Sequence, residues 1–380
     1  MLTGIRPIAM YLPQFHPIPE NDEWWGKGFT EWTNVTKAKP LFNGHYQPHL
    51  PADLGFYDLR LAEARLAQAE LAKAHGIFGF CYYHYWFNGR RILEKPFQQV
   101  FETGEPDFPF MLCWANENWT RVWDGGDKDI LLEHKYSEAD DRAHIQSLIP
   151  YFKDKRYIKV NGKAIFSVYR SNHFPDLKKT IEVWRDEAEK DGIQLYLCCF
   201  VTDSIPNNNL DELGLDAAID FKPFGNTFAQ YKNLQIELYK KNYLKRLKIN
   251  FQKLYYRFFN QQKFETVEDF LWNVIDYKSY AQFCSKAESS TYKCFPCITP
   301  SWDNTARRKK NFLILKDANP TDYKNWLATI VRKFKGYGED ENFVFINAWN
   351  EWAEGNHLEP CQKWGKKYLE YTKEVFSDGE

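Results

Sequence analysis

Eight short apolar runs alternate with helix-like stretches along the chain and predict an α/β fold: a single (β/α)8 barrel. Two further observations support it. Clusters of aromatic and polar residues follow the runs rather than precede them, which suits a barrel whose working face lies at the carboxyl ends of its strands. A length of 380 residues also fits one such barrel with insertions, although it would equally fit two average domains.

Ile5 to Phe15 reads as the first strand, and Tyr11, Gln14 and His16 near its end are candidate substrate contacts. Residues 17 to 57 form a long loop rich in Pro, Gly and Trp, too long for a mere connection and read as a lid or wall. It carries Trp24, Trp25, Glu31, Trp32, His45 and His49; Glu31 and Trp32 are candidate contacts, and the histidines read first as hydrogen-bonded structural residues. Asp58 to Ala74 shows Leu59, Ala62, Leu66 and Ala69 at helical spacing and stops at Gly76. The second strand, Ile77 to Phe87, offers His84, Tyr85 and Trp86. The third, Pro109 to Cys113, delivers Trp114, Asn116, Glu117 and Trp119. Glu117 reads as a substrate hydrogen-bond acceptor ahead of a third acid or a brace for Arg121.

Ser137 caps a helix running to about Phe152. Lys163 to Tyr169 is strand four, the helix around Thr180 to Lys190 stops at Gly192, and Gln194 to Phe200 is strand five. Leu215 to Phe221 is a short sixth. Cys294 to Pro300 is the seventh, ending in Trp302, Asp303 and Arg307, and Asn342 to Ala348 is the eighth.

Between strands six and seven lies a helical insertion, residues 225–285. Within it, residues 231–260 carry eight Lys/Arg against the single acid Glu237, with Leu244, Leu247, Phe251, Leu254, Tyr255 and Phe258 on one helical face. It reads first as a helix packed on the barrel with a solvated basic back. The alternative is an amphipathic element that grips an anionic membrane or a lipid pyrophosphate.

The eighth strand empties into Trp349, Asn350, Glu351, Trp352, Glu354, Gly355 and Glu359. Glu351 and Glu354 would face opposite ways if the strand continued, but the sequence turns polar at Asn350 and meets Gly355; a curled backbone would bring both carboxyls into one pocket. Two carboxylates among indole rings suit glycosidic-bond chemistry, in which one carboxyl gives a proton while the other stays charged. The plain alternative is a solvated pair on a loop.

Composition narrows the field. A net charge of −1 argues against a general nucleic-acid binder, and no apolar run is long enough for a membrane span. With the first strand starting near Ile5, no room is left for a signal peptide, so the expected location is the cytosol, with peripheral contact at the inner membrane if residues 231–260 bind lipid. Eight cysteines in a chain this long are expected as free thiols, including Cys294 and Cys297, whose spacing lacks a second pair. His84, His134 and His357 have no ligand spacing, so no metal or other cofactor is expected.

The run Asn350-Glu-Trp-Ala-Glu-Gly355 with Leu358-Glu-Pro360 resembles the signature of glycoside hydrolase family 99, the endo-α-1,2-mannosidases and mannanases. Tyr11-Leu-Pro-Gln-Phe-His16, Gly28-Phe-Thr-Glu-Trp32, Gly44-His-Tyr-Gln-Pro-His49 and Leu54-Gly-Phe-Tyr-Asp58 resemble more closely the WbsX-like proteins, a related bacterial branch tied to O-antigen and capsule loci. The resemblance implies the same barrel, with Glu351 as base, Glu354 as acid, and retention of configuration through a 1,2-anhydro sugar. It also implies a polysaccharide or lipid-linked oligosaccharide substrate. Ala353 and the long opening loop depart from the mannosidase pattern and bear on α-mannoside specificity. Two competing readings remain. A nucleotide-sugar-dependent glycosyltransferase would want a doubly wound sheet with a metal-binding acidic motif, for which Gly125-Gly126 between Asp124 and Asp127 is too weak a signal. A non-catalytic glycan-binding barrel would be natural if either glutamate were missing.

Overall fold

Strands buried on both faces, between a filled interior and a helical coat, must be apolar throughout. The staves are β1 (Arg6–Tyr11), β2 (Gly79–Phe87), β3 (Phe110–Trp114), β4 (Lys163–Val168), β5 (Leu195–Phe200), β6 (Ala217–Ile219), β7 (Cys294–Phe295 and Cys297–Ile298) and β8 (Phe343–Ile346). They pair in parallel in chain order, and β8 returns to β1 from Arg6 opposite Phe343 to Ala9 opposite Ile346. β7 is split because Pro296 has no N–H for the ladder. Its first half pairs with β6 and its second with β8, while the Pro296 carbonyl still accepts from Phe345 N at 2.8 Å. The computed structural model describes residues 4–121, 126–202, 209–259, 273–288, 290–308 and 311–377. The predicted (β/α)8 barrel is the observed fold.

The long loop after β1 is not irregular throughout: α1 (Pro19–Trp25) and α2 (Glu31–Lys37) lie within it. α2 is docked onto the end of β1, where Glu31 N donates to Gln14 O at 3.1 Å. The coat is α3 (Ala62–Ala74), α4 (Lys95–Thr103), α5 (Glu138–Phe152), α6 (Leu177–Lys190), α7 (Gly225–Lys241), α8 (Tyr243–Phe259), α9 (Tyr277–Lys286), α10 (Pro320–Lys333) and α11 (Lys367–Ser377). Ser137 caps α5 as expected, accepting from Asp140 N. All eight cysteines are unbridged.

The insertion differs from the first reading of it. Ile249 fixes α8 to Phe42, Phe312 and Ile314, but Leu244, Leu247, Phe251 and Leu254 are exposed rather than packed on the barrel. The side chains of Tyr255 and Phe258 and residues 260–272 lie outside what is described, as does the Asp124-Gly125 stretch.

Alternation along β2 decides which side chains reach the interior. Tyr82 packs on Phe97 of α4 at 5.2 Å, and His84 bonds His144 of α5 at 3.0 Å. Tyr83 and Tyr85 take the other face and line the cleft at the top of the barrel.

Candidate active site

Beyond β8 the chain does curl. Asn350–Glu351 pairs antiparallel with Asn356–His357 across a 3-10 turn of Trp352–Glu354. The turn closes at Gly355, whose φ of +56° a glycine adopts without strain. A Cβ there would also sit 3.0 Å from Asp303 Cβ. Asp303 N donates to Glu354 O at 2.6 Å, so the segment after β7 holds this turn from the outside.

The turn aims Glu351 and Glu354 at one guanidinium. Arg307 Nη2 lies 2.9 Å from Glu351 Oε2, Nη1 2.9 Å from Glu354 Oε1, and Nε 2.6 Å from Glu31 Oε1. Glu31 is fully buried, and its Oε2 has no hydrogen-bond partner. Three carboxylates on one arginine leave the cluster short of positive charge when all are ionised. Burial is the main force raising Glu351 above the usual carboxylate range, Arg307 opposes it, and the charges on Glu354 and Glu31 add to it. Burial raises Glu354 as well, again against Arg307. In that environment a proton shared across the pair at neutral pH is favoured over two full charges.

The cleft has a volume of about 710 Å³. Of the residues singled out from sequence, Gln14, Tyr85, Glu117, Trp119, Trp302, Arg307, Glu351 and Glu354 line it. Glu117 does so while accepting from Arg170 Nε at 2.7 Å, so its brace is Arg170 rather than Arg121. Glu31 lies one layer back, behind Arg307.

The remaining candidates do not line the cleft and lie in the layers around it. Tyr11 donates to Gln68 Oε1 at 2.7 Å in the core. His16 is buried with Nδ1 3.0 Å from Pro13 O, and burial pulls its pKa down to about 4. His84 and Trp86 face α5, where Trp86 Nε1 donates to Asp140 at 3.0 Å. Trp114 faces the same layer, 4.5 Å from the His144 ring. Asn116 exchanges hydrogen bonds of 2.8 Å with the Arg170 backbone. Trp349 is buried beside Phe80 at 5.1 Å. Asn350 accepts from Leu12 N at 2.7 Å and donates to Leu12 O at 3.0 Å, tying the turn to β1. Trp32 donates to Tyr57 O at 2.8 Å and packs on Trp352. Asp303 sits 2.5 Å from His45 Nε2, and that partner holds its carboxyl below the usual range against the opposing effect of burial.

Trp352 Nε1 donates to Glu359 Oε2 at 2.6 Å. Glu359 also accepts from Tyr57 OH at 2.8 Å and Gln68 Nε2 at 2.7 Å. This buried carboxylate therefore anchors the middle of the turn that carries the pair.

Trp24, Trp25, Tyr83, Tyr169, Arg170, His173 and Arg308 also line the cleft and were not among the candidates. Tyr83 follows from alternation once Tyr85 is placed. Tyr169 and Arg170 stand at the end of β4, where the same strand-end rule applies. Among the described residues, no group of three or more His, Cys, Asp or Glu could hold a metal ion.

Solved structures share this architecture. A glycoside hydrolase family 99 endo-α-mannosidase from Bacteroides thetaiotaomicron superposes with a TM-score of 0.59 at 12% identity, over 98% of this chain and 97% of that one. A glycoside hydrolase-like protein superposes at 0.56 and 12% identity, over 98% of this chain and 94% of that one. At that identity the likeness is one of fold. It defines the class by fold: a single-chain (β/α)8 barrel. The chain belongs to the WbsX glycosyltransferase family, whose sequence profile matches residues 7–372. It is 38% identical over 372 residues to the uncharacterized protein WxcX of Xanthomonas campestris pv. campestris. That match takes in 97% of this chain and 49% of the relative, so the chain spans about half the length of the curated relatives it matches.

Proposed function

We propose that the chain cleaves or transfers an α-linked glycan with retention of configuration, using Glu351 and Glu354 as its acid–base pair. The supporting observation is one arginine joining both carboxylates in an aromatic-walled cleft at the carboxyl ends of the strands. In this reading Glu351 takes the proton of the sugar's 2-hydroxyl, and the oxygen closes on the anomeric carbon as a 1,2-anhydro sugar. Glu354 gives its proton to the leaving oxygen and then, now as base, takes a proton from the water or acceptor hydroxyl that attacks the anomeric carbon; the anhydro C–O bond breaks there, and Glu351 returns its proton to the 2-oxygen. Burial keeps the pair partly protonated at neutral pH, which supplies the acid; Arg307 keeps a negative partner tolerable, which supplies the base. Tyr83, Tyr85, Trp25 and Trp119 offer ring faces for the sugar. The substrate class is a polysaccharide or lipid-linked oligosaccharide of the O-antigen or capsule type.

The test is turnover of α-mannosides and of surface-polysaccharide repeat units, with the anomeric product followed by NMR. Glu351→Gln and Glu354→Gln should each remove more than about 99% of turnover while leaving the fold intact. Near-normal turnover by both variants ends this reading. The family's name favours a second one, a nucleotide-sugar-dependent transferase. Calorimetric titration with nucleotide sugars separates the two: tight binding, with release of nucleotide on reaction, would replace the glycosidase-type reading.

A further inference from the structure

Twelve large apolar side chains are exposed among the described residues, and seven of them sit on the adjoining helices of the insertion: Leu234 and Leu238 on α7, and Tyr243, Leu244, Leu247, Phe251 and Leu254 on α8. Singly scattered apolar residues need no explanation, whereas such a concentration does. At about 100° per residue, Leu244, Leu247, Phe251 and Leu254 fall within an arc of about 80°. Ile249, 5% exposed, lies on the opposite side and fixes the helix to Phe42, Phe312 and Ile314. The anchor itself turns the stripe outward.

Charge decides what the stripe fits. The sequence from Tyr243 to Phe259 contains Lys245, Arg246, Lys248, Lys253 and Arg257 and no acid. Arg246 and Lys248 are exposed, as are Lys240 and Lys241 at the end of α7. An apolar stripe flanked by cations matches an anionic lipid surface, where acyl methylenes receive the leucine and phenylalanine side chains and phosphates receive the cationic heads. A second copy of the chain would instead set two basic helices against each other.

We infer that α7 and α8 dock the protein reversibly on an anionic phospholipid surface. The helices lie in the plane of the interface, and no helix among the described residues is long and apolar enough to cross a membrane. The contact sits beside the cleft: Phe312 of the α8 anchor stands between Asn311 and Leu313, both of which line it. The inference is independent of the reaction proposed above.

Flotation of the full chain with vesicles of phosphatidylethanolamine and phosphatidylglycerol, against vesicles of phosphatidylcholine, tests it. At low salt the chain floats with the anionic vesicles and stays behind with the neutral ones, and raised salt weakens the first association. Leu247→Glu combined with Phe251→Glu, both on the exposed face, lowers the bound fraction by about tenfold or more while the melting temperature is unchanged. Arg246→Glu combined with Lys248→Glu lowers it by a similar factor, on the order of tenfold. The inference is overturned by any of three results: no association with anionic vesicles at low salt, equal flotation of wild type and stripe variant, or a dimer on size exclusion that the stripe variant dissolves.

Discussion

Replacing Glu359 with Gln should flatten the pH dependence of stability, because Glu359 is a buried carboxylate titrating near neutrality. Burial raises its pKa from 4.5 to about 7, against the three hydrogen bonds from Trp352, Gln68 and Tyr57 that favour the charged form. The folded protein therefore holds this proton more tightly than the unfolded chain does. Its contribution is fully favourable below pH 4.5 and is lost as pH rises towards 7. A shift of about 2.5 units corresponds to about 3.4 kcal/mol in the limit, of which about 2.5 kcal/mol falls between about pH 5 and pH 8. With an unfolding entropy of about 2 cal/mol/K per residue, that is about 3 °C in melting temperature for a chain of this size. The assay is thermal unfolding of wild type and Glu359→Gln across this range. Titration of Glu351 and Glu354 contributes to both proteins and largely cancels in the difference. Wild type should lose about 3 °C more than the variant on going from acid to mild alkali. Parallel curves would show that Glu359 does not titrate in this range and would refute the argument.

Arg307→Met leaves Glu31, Glu351 and Glu354 buried without their cation, and should lower stability by about 3–5 kcal/mol in urea denaturation near neutral pH. Without the arginine the Glu351 and Glu354 carboxyls are pushed up further, so the loss should be smaller near pH 5 and larger near pH 8; an equal loss at both would refute the charge account. Gly355→Ala forces a Cβ to within 3.1 Å of Asp303 O at a φ of +56°. It should cost about 1–3 kcal/mol and shift the Glu354 carboxyl in a crystal structure; an unmoved carboxyl at full stability would show that the turn does not depend on this glycine.

The barrel was readable because its signal is redundant. Eight apolar runs, each at its right place, survive an error of several residues at any end: the sequence predicts a first strand reaching Phe15, the observed β1 stops at Tyr11, and the topology is the same. The carboxylate pair was readable because Gly355 and the polar break at Asn350 mark a reversal that local backbone rules describe. Which aromatic ring faces the cleft was harder. His84 and Trp86 flank Tyr85 in sequence and share its strand end, but period-2 alternation sends them to the coat and sends Tyr83 to the cleft instead. Proximity to a strand end identifies the neighbourhood, and parity identifies the wall. Local rules mark Glu31 and Arg307 each as candidates but could not pair them across 276 residues. Their meeting depends on α2 docking at Gln14 and on the segment after β7 folding back over the turn, both of them tertiary events.

The shared arginine also bears on how an acid and a base could exchange roles in the proposed reaction. When the acid gives up its proton, its site gains a negative charge, and when the base takes one, its site loses a negative charge. In a buried cleft two separate counter-ions would each be left with the wrong balance halfway through. Arg307 presents different nitrogens to Glu351 and Glu354 from one delocalised cation. The hydrogen bond that strengthens can therefore move from one carboxylate to the other while the guanidinium stays in place. Glu31, on Nε, fixes the plane in which this happens. A lysine could not serve both carboxylates in this way, because its charge is a point on a flexible stem, so Arg307→Lys should preserve the net charge and still impair turnover. Turnover equal to wild type in that variant would show that charge alone, without the fork, is sufficient.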